Sequence, residues 1–86
     1  MAIYSLEWKT SALHELKRLD RKIAVRILAA IEVLKENPFP DGVRKLQGSE
    51  RTYRLRVGNY RVIYELFGSQ LVIQIVRVRH RKEAYR

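Results

Sequence analysis

Arginine recurs at every second position in two segments of the second half of this chain. The segment YRLRV (53–57) has arginines at positions 54 and 56, RVRHR (77–81) has them at positions 77, 79 and 81, and Arg61 lies between the two segments. A guanidinium group is a planar fork of N–H donors that matches two phosphate oxygens, and it stays charged at neutral pH. Alternate residues of a strand share one face of a sheet, so this spacing predicts a cationic face that binds phosphate groups.

The positive charge is concentrated in that half of the chain. The 86 residues include 18 Lys and Arg against 9 Asp and Glu, which gives a formal net charge of +9. Residues 44–86 hold 11 of the basic and 3 of the acidic side chains, and so +8 of that charge. Four tyrosines lie among these cations, and their rings can stack on bases; they are Tyr53, Tyr60, Tyr64 and Tyr85. This pattern favours a nucleic acid ligand, although a carboxylate-rich protein segment would neutralise the same charge.

Composition excludes several classes of protein. An apolar share of 47% with 31% charged residues is typical of a folded domain and not of a disordered chain. The absence of cysteine excludes disulfide scaffolds, thiol nucleophiles and zinc–cysteine sites. The histidines are His14 and His80, so we expect neither a metal site nor a cofactor.

Length and hydropathy predict one small domain over residues 1–86, with no internal repeat or linker. The first ten residues, MAIYSLEWKT, lack the basic segment and the apolar run of a signal peptide. No segment approaches the roughly 18 apolar residues of a membrane span. We therefore expect a cytoplasmic protein with no membrane partner.

The first half predicts a strand and two helices. Residues 2–8 are short, apolar and aromatic, as in a strand. Thr10 or Ser11 can cap a short helix, and Asp20 can cap a longer one that ends at Asn37-Pro38. The apolar positions at helical spacing are Ala12, Leu13, Leu16 and Leu19 in the first helix, and Ile23, Ala24, Ile27, Leu28, Ile31 and Leu34 in the second. Two helices joined this closely form a helical hairpin.

The second half predicts a loop and three strands. Residues 38–42 have the composition of a turn-rich connector and residues 45–49 that of a loop, on which Lys45 can approach the cations. Gly58-Asn59 and Gly68-Ser69 separate three strands of an antiparallel meander, and the nearly continuous apolar start of the last one predicts an inner strand. The expected fold class is α+β: a strand, a helical hairpin and a three-stranded antiparallel meander, with the helices packed on one side of the sheet.

Two motifs carry a resemblance to a known family. The stretch YRLRVGNYRVIYEL (53–66), followed by RVRHRKEAYR (77–86), resembles the C-terminal half of toxins in the RelE branch of the RelE/ParE superfamily, which belong to type II toxin–antitoxin systems. The order of elements is similar to that family along nearly the whole chain. The resemblance implies an mRNA interferase, a ribosome-dependent endoribonuclease that cleaves mRNA in the A site without metal and so inhibits translation.

The same resemblance implies partners and site residues. The expected partners are a RelB-type antitoxin and the ribosome with its mRNA and rRNA, the toxin being a monomer or part of a toxin–antitoxin heterotetramer. Carried over position by position, it implies catalytic roles for Arg56, Arg61, Arg81 and Tyr85, the cations holding the scissile phosphate and the tyrosine stacking on a base. The expected RNA-binding residues are Arg54, Lys45, Arg79 and His80.

The proton acceptor of this chemistry is left open by the residue types. Metal-free RNA cleavage uses the ribose 2′-hydroxyl as nucleophile and needs a base, which arginine does not provide because its guanidinium group keeps its proton. In the well-known enterobacterial member, lysines occupy the positions of Arg54 and Arg56. His80 and Lys45 are the alternative bases, but the residue types favour a packed histidine at a strand end and a solvated loop lysine over a catalytic role for either.

Two other functions stay open. The ParE branch shares the fold and is associated with inhibition of DNA gyrase, so the chain could be a toxin that binds without cleaving. A simple nucleic-acid-binding module would show salt-sensitive binding to RNA or DNA and no growth defect on expression.

Overall fold

The computed structural model describes residues 3–82, and these contain two helices and five strands. In chain order the elements are β1 (Ser5–Trp8), α1 (Thr10–Lys17), α2 (Arg21–Leu34), β2 (Val43–Lys45), β3 (Thr52–Val57), β4 (Tyr60–Phe67) and β5 (Val72–His80). The α+β class, the helical hairpin after the first strand and the meander of the last three strands are as predicted. Neither helix of this segment is long and apolar enough to cross a membrane.

The strands form one mixed sheet in the order β1-β5-β4-β3-β2. Strand β1 runs parallel to β5, and the other three pairings are antiparallel. Strand β5 therefore lies inside the sheet, as its apolar composition predicts. The predicted turn at Gly58-Asn59 joins β3 to β4, and Gly58 has a φ of +58°, which glycine adopts without steric cost.

Three local predictions were wrong in detail. Lys45, predicted on a loop, is the last residue of the short strand β2, which pairs with β3 through Arg44 and Arg54. Strand β1 begins at Ser5, so Ile3 and Tyr4, which were predicted within it, precede it. Helix α1 has Lys9 at its N-cap, so Thr10 is its first residue, and Asp20 takes the predicted cap position of α2 without a side-chain hydrogen bond. A strand of three residues has too little alternation to be recognised without its partner.

One face of the sheet packs against both helices and forms the core. Buried side chains from β3, β4 and β5 meet buried side chains from α1 and α2; they are Leu55, Val62, Tyr64, Ile73, Ile75 and Val78 from the sheet, and Ala12, Leu16, Ile27, Ile31 and Leu34 from the helices. Leu13 and Leu28, which the helical pattern included, are 36% and 41% exposed and lie outside this core.

The alternation of side chains along β5 is interrupted by a β-bulge. Ile63 of β4 pairs with Arg77 and Tyr64 pairs with Ile75, so Val76 has no partner in β4. Ile73 and Ile75 are buried before the bulge, and Val78 is buried after it. The extra residue thus turns Arg77 away from the core face, onto which strict alternation from Ile75 would have placed it.

Tyr64 connects the sheet to the segment that follows α2. Its side chain is fully buried, and its hydroxyl donates a hydrogen bond to the carbonyl oxygen of Pro38. The ring stacks on Tyr53 at 5.8 Å between centroids, and Tyr53 meets Phe39 edge-on at 5.2 Å. Burial, with a smaller contribution from Tyr53, raises the pKa of the Tyr64 phenol well above its usual range.

This raised pKa predicts a loss of stability at alkaline pH. The unfolded chain releases the Tyr64 proton near the ordinary phenol pKa of 10.0, whereas the folded chain holds it. The contribution of Tyr64 to the free energy of unfolding is therefore fully present below pH 10 and decreases above it. The fall from this residue is at most about 1.4 kcal/mol per pH unit. Urea unfolding of Tyr64→Phe should show less alkaline loss than wild type, and about 1 kcal/mol lower stability near neutral pH. Tyr4→Phe, which leaves the Tyr64–Pro38 bond in place, should keep the alkaline loss.

Candidate nucleic-acid interface

The face of the sheet opposite the helices carries two rows of arginine. In the first row, Arg56 of β3 lies opposite Arg61 of β4, which lies opposite Arg79 of β5. The second row runs from β2 to β5 through directly paired residues; they are Arg44, Arg54, Ile63 and Arg77. Side chains at paired positions lie about 5 Å apart at Cβ, so these cations are neighbours. The arginines within β3, β4 and β5 therefore share one side of the sheet, called the arginine face below, as their alternation predicts.

Arg61 occupies the middle of the first row and is buried. Its exposed fraction is 7%, and within residues 3–82 its Nε has no hydrogen-bond partner. Nη1 reaches the Tyr60 carbonyl oxygen at a long 3.4 Å. A buried charge without a partner is costly, and like charges placed directly opposite each other in a sheet repel. An anion bound between Arg61 and its neighbours would remove both costs.

The outer end of these rows is neutralised by a single carboxylate from helix α1. Glu15 Oε2 accepts hydrogen bonds from Arg79 Nε at 3.0 Å and from Arg77 Nη1 at 3.2 Å. Its other oxygen, Oε1, accepts the backbone N–H of Val78 at 2.9 Å. Arg56 and Arg61 have no such ion pair among the described residues.

Four of the predicted site residues therefore come together on the arginine face; they are Arg54, Arg56, Arg61 and Arg79. Arg81 follows β5, where its backbone N–H donates to the Asn59 carbonyl oxygen at 2.7 Å, beside the β3–β4 turn. Its side chain is exposed. Tyr85 lies outside the described residues.

Lys45 and His80 do not lie on the arginine face. Lys45 was expected on a loop, but it lies in β2 opposite Tyr53, so its position belongs to the side of the sheet that carries Tyr53 and Tyr64. His80 lies opposite Tyr60, with the two rings edge-on at 5.2 Å, on the helix side. The physical reason is the alternation of side chains along a strand, which separates both residues from the arginines beside them.

Two residues of the arrangement were missed from the sequence. Arg44 was counted among the basic residues but assigned to no strand, because it lies between the predicted connector and the predicted loop. Glu15 was assigned to the polar side of α1, and the arginine that it binds, Arg77, lies 62 positions further along the chain. No local pattern could have found this pair, because it depends on how α1 packs against β5.

Removing the buried charge of Arg61 should stabilise the free protein. Arg61→Met keeps a long unbranched side chain but relieves the desolvation and the repulsion from Arg56 and Arg79, so the free energy of unfolding at low salt should rise by about 1 kcal/mol or more. Arg21→Met removes the same charge from an exposed position and should change stability by less than about 0.5 kcal/mol. In the same urea titrations, added sulfate should stabilise wild type more than Arg61→Met. A destabilised Arg61→Met protein would show that Arg61 holds the sheet together instead.

Comparison with known proteins gives a consistent result. Residues 6–85 match the family described as the ParE toxin of the type II toxin–antitoxin system parDE. The putative toxin RelE1 of Methanocaldococcus jannaschii is 31% identical over 86 residues, covering 96% of both proteins.

Solved structures show the same fold. A chain in the crystal structure of the archaeal RelE–RelB complex from Pyrococcus horikoshii OT3 superposes with a TM-score of 0.83 at 29% identity, covering 94% of this chain and 98% of that one. A chain of the toxin–antitoxin complex RelBE2 from Mycobacterium tuberculosis gives a TM-score of 0.79 at 26% identity, covering 92% and 99%. This chain is therefore a member of the RelE/ParE superfamily, the toxins of type II toxin–antitoxin systems.

Proposed function

We propose that this toxin is a ribosome-dependent mRNA endonuclease, which cleaves mRNA in the A site without a metal ion and thereby inhibits translation. The observation that carries the proposal is Arg61 in a row of cations, with a buried Nε that has no hydrogen-bond partner in the described part of the chain. That arrangement is costly in the free protein and favourable around a phosphate. The resemblance of the chain to RelE toxins supplies the substrate class.

The arginine face fits the charge that develops during cleavage. When a ribose 2′-hydroxyl attacks the adjacent phosphate, negative charge builds up on the phosphate oxygens in the transition state. Donors fixed before the reaction stabilise that charge most, and most strongly where water is excluded. In the proposed mechanism Arg56 and Arg61 hold the scissile phosphate, and Arg81 approaches it from the end of β5. Arg54 and Arg79, their neighbours on the arginine face, bind the RNA next to that phosphate.

The face supplies charge and not a general base. Arginine retains its proton, so the 2′-hydroxyl proton needs another acceptor. His80 and Lys45, the alternatives from the sequence, lie on the other side of the sheet and have no part in the proposed site. The acceptor of this proton, and the donor for the leaving 5′-oxygen, then belong to the ribosomal complex that presents the RNA or to water bound there, which agrees with an activity that depends on the ribosome. Tyr85 is proposed to stack on a base at the cleavage site.

The proposed partners are a RelB-type antitoxin and the translating ribosome, which places the activity in the cytoplasm. The solved relatives from P. horikoshii and M. tuberculosis are themselves in complexes with antitoxins. An antitoxin has two features to cover on this chain. One is the arginine face, and the other is an apolar strip on the outer side of α2 formed by Val25, Leu28 and Val33.

The proposed activity predicts which transcripts are cut. Wild-type protein induced in cells should create new mRNA 5′ ends on a translated reporter and none on the same reporter without a start codon. Arg81→Ala and Arg61→Met should each lower cleavage on the order of 100-fold or more, because each removes a charged donor from the transition state. Arg21→Ala, an exposed arginine on α2, should cut like wild type.

A second function is favoured by one finding, the match to the family described as the ParE toxin. Under that alternative the toxin inhibits DNA gyrase without cleaving RNA. Growth arrest with no new 5′ ends, together with loss of DNA supercoiling by purified gyrase, would replace the mRNA endonuclease with this activity.

The apolar strip on α2 gives a separate prediction for the antitoxin. Val25, Leu28 and Val33 are 56%, 41% and 51% exposed, and Ile3, which is 62% exposed, lines a surface hollow with Val33. We propose that an amphipathic helix of the antitoxin covers this strip. Leu28→Gln should weaken antitoxin binding in a titration by about tenfold, since it loses 1 to 2 kcal/mol of apolar burial. Leu71→Gln is the matched control, because Leu71 is 40% exposed in a turn of the sheet. Equal affinities of the two variants would place the antitoxin elsewhere.

A further inference from the structure

Helix α1 reaches the edge of β5 where β1 stops. Strand β1 pairs with β5 up to Trp8 and Ile75, and the Lys9 backbone N–H donates to the Ile75 carbonyl oxygen at 2.9 Å. The chain then turns into α1, which leaves the rest of β5 without a neighbouring strand on that side. The Glu15 carboxylate fills this place, since its Oε1 accepts the Val78 N–H that a continued β1 would have bound.

The second oxygen of Glu15 acts on the arginine face. Oε2 binds Arg79 through Nε and Arg77 through Nη1, so one carboxylate holds two guanidinium groups and one backbone amide. The Glu15 side chain is 19% exposed, against 30% for Arg79 and 43% for Arg77. A partly buried carboxylate with three donors has one well-defined position, and it fixes its partners in turn.

Arg79 is the residue through which this contact reaches the proposed phosphate site. It lies directly opposite Arg61, whose charge is buried and repels it. The bond to Glu15 uses the Nε of Arg79, which leaves the Nη donors of Arg79 for other acceptors. Without the carboxylate, repulsion from Arg61 would favour rotamers that carry Arg79 away from the row.

We infer that Glu15 is a positioning residue of the phosphate site, which holds Arg79 beside Arg61 and offsets part of the repulsion in the row. The inference rests on the proposed function. In this role Glu15 acts through Arg79 and does not contact the RNA, so it is not itself a catalytic residue. Its contribution is therefore to the rate of the chemical step more than to binding of the ribosome.

The test is a comparison of two isosteric changes that remove the same charge. Glu15→Gln keeps an oxygen for the Val78 N–H but loses the carboxylate that binds the arginines. Glu7→Gln removes an exposed carboxylate of β1 and is the matched control for net charge. Purified proteins are compared by the kcat and KM for cleavage of mRNA in programmed ribosomes, and by the NMR signal of the Arg79 Nε–H, assigned with Arg79→Lys.

A positioning role predicts a selective effect. Glu15→Gln should lower kcat between roughly 10- and 100-fold with little change in KM, and the Arg79 Nε–H signal should lose its hydrogen-bonded shift. Glu7→Gln should match wild type in both measurements. In an Arg79→Met background, Glu15→Gln should cause little further loss, because its path to the site has been removed.

Other outcomes overturn the inference in distinguishable ways. Equal kcat values for Glu15→Gln and Glu7→Gln, in a wild type that cleaves, would reject the positioning role and leave the proposed function intact. A wild type that does not cleave would reject the proposed function, and the role of Glu15 at this site would fall with it even if the NMR signal showed the contact. If Glu15→Gln does not fold, Glu15→Asp takes its place in the test, because it keeps the negative charge but its side chain is one methylene shorter. A wild-type kcat in Glu15→Asp with the Arg79 signal lost would reject the inference.

Discussion

The register between β3, β4 and β5 is the constraint on which both faces of this protein depend. Leu55, Val62 and Val78 lie directly opposite one another and are 4%, 0% and 3% exposed, so the core fixes which residues pair. A slip of one residue would exchange the two faces and bring the arginines under the helices, at a prohibitive desolvation cost. The first arginine row lies next to this apolar row in each strand. Burial of the core thus aligns Arg56, Arg61 and Arg79, with no attraction among them.

Alignment of like charges is unfavourable in itself, and at the β5 end of the rows the structure compensates for it. Glu15 neutralises part of the charge of Arg77 and Arg79 at β5, whereas Arg61 is buried and its Nε has no hydrogen-bond partner among residues 3–82. A protein selected for stability alone would place an apolar side chain at that position. The arrangement resembles other binding sites for anions, in which the free protein holds a strained charge distribution that the ligand relieves. An antitoxin with acidic side chains would relieve it as well, in competition with the RNA.

The bulge at Val76 allows both halves of β5 to place their apolar side chains on the core side of the sheet. Its first half is apolar on the core side through Ile73 and Ile75, and its second half carries arginines at positions that strict alternation would put on that same side. One extra residue changes the parity, so that Val78 continues the core while Arg77 and Arg79 join the arginine face. The same change places His80 against Tyr60 and away from the phosphate site. Bulges are frequent near functional sites because they redirect side chains without altering the rest of the sheet.

The sequence by itself determined the elements whose signals are local. Helical spacing in α1 and α2, the glycine turn between β3 and β4, and alternation at Arg54 and Arg56 each involve residues within a few positions of one another. The same local patterns carried the resemblance to RelE toxins. The tertiary structure decided the rest: that Arg44 belongs to a strand, that Val76 forms a bulge, that Arg61 is buried and that Glu15 binds Arg79. Each of these depends on a partner far away in the chain, and the free energy that selects it comes from packing and charge between elements, which no short segment contains.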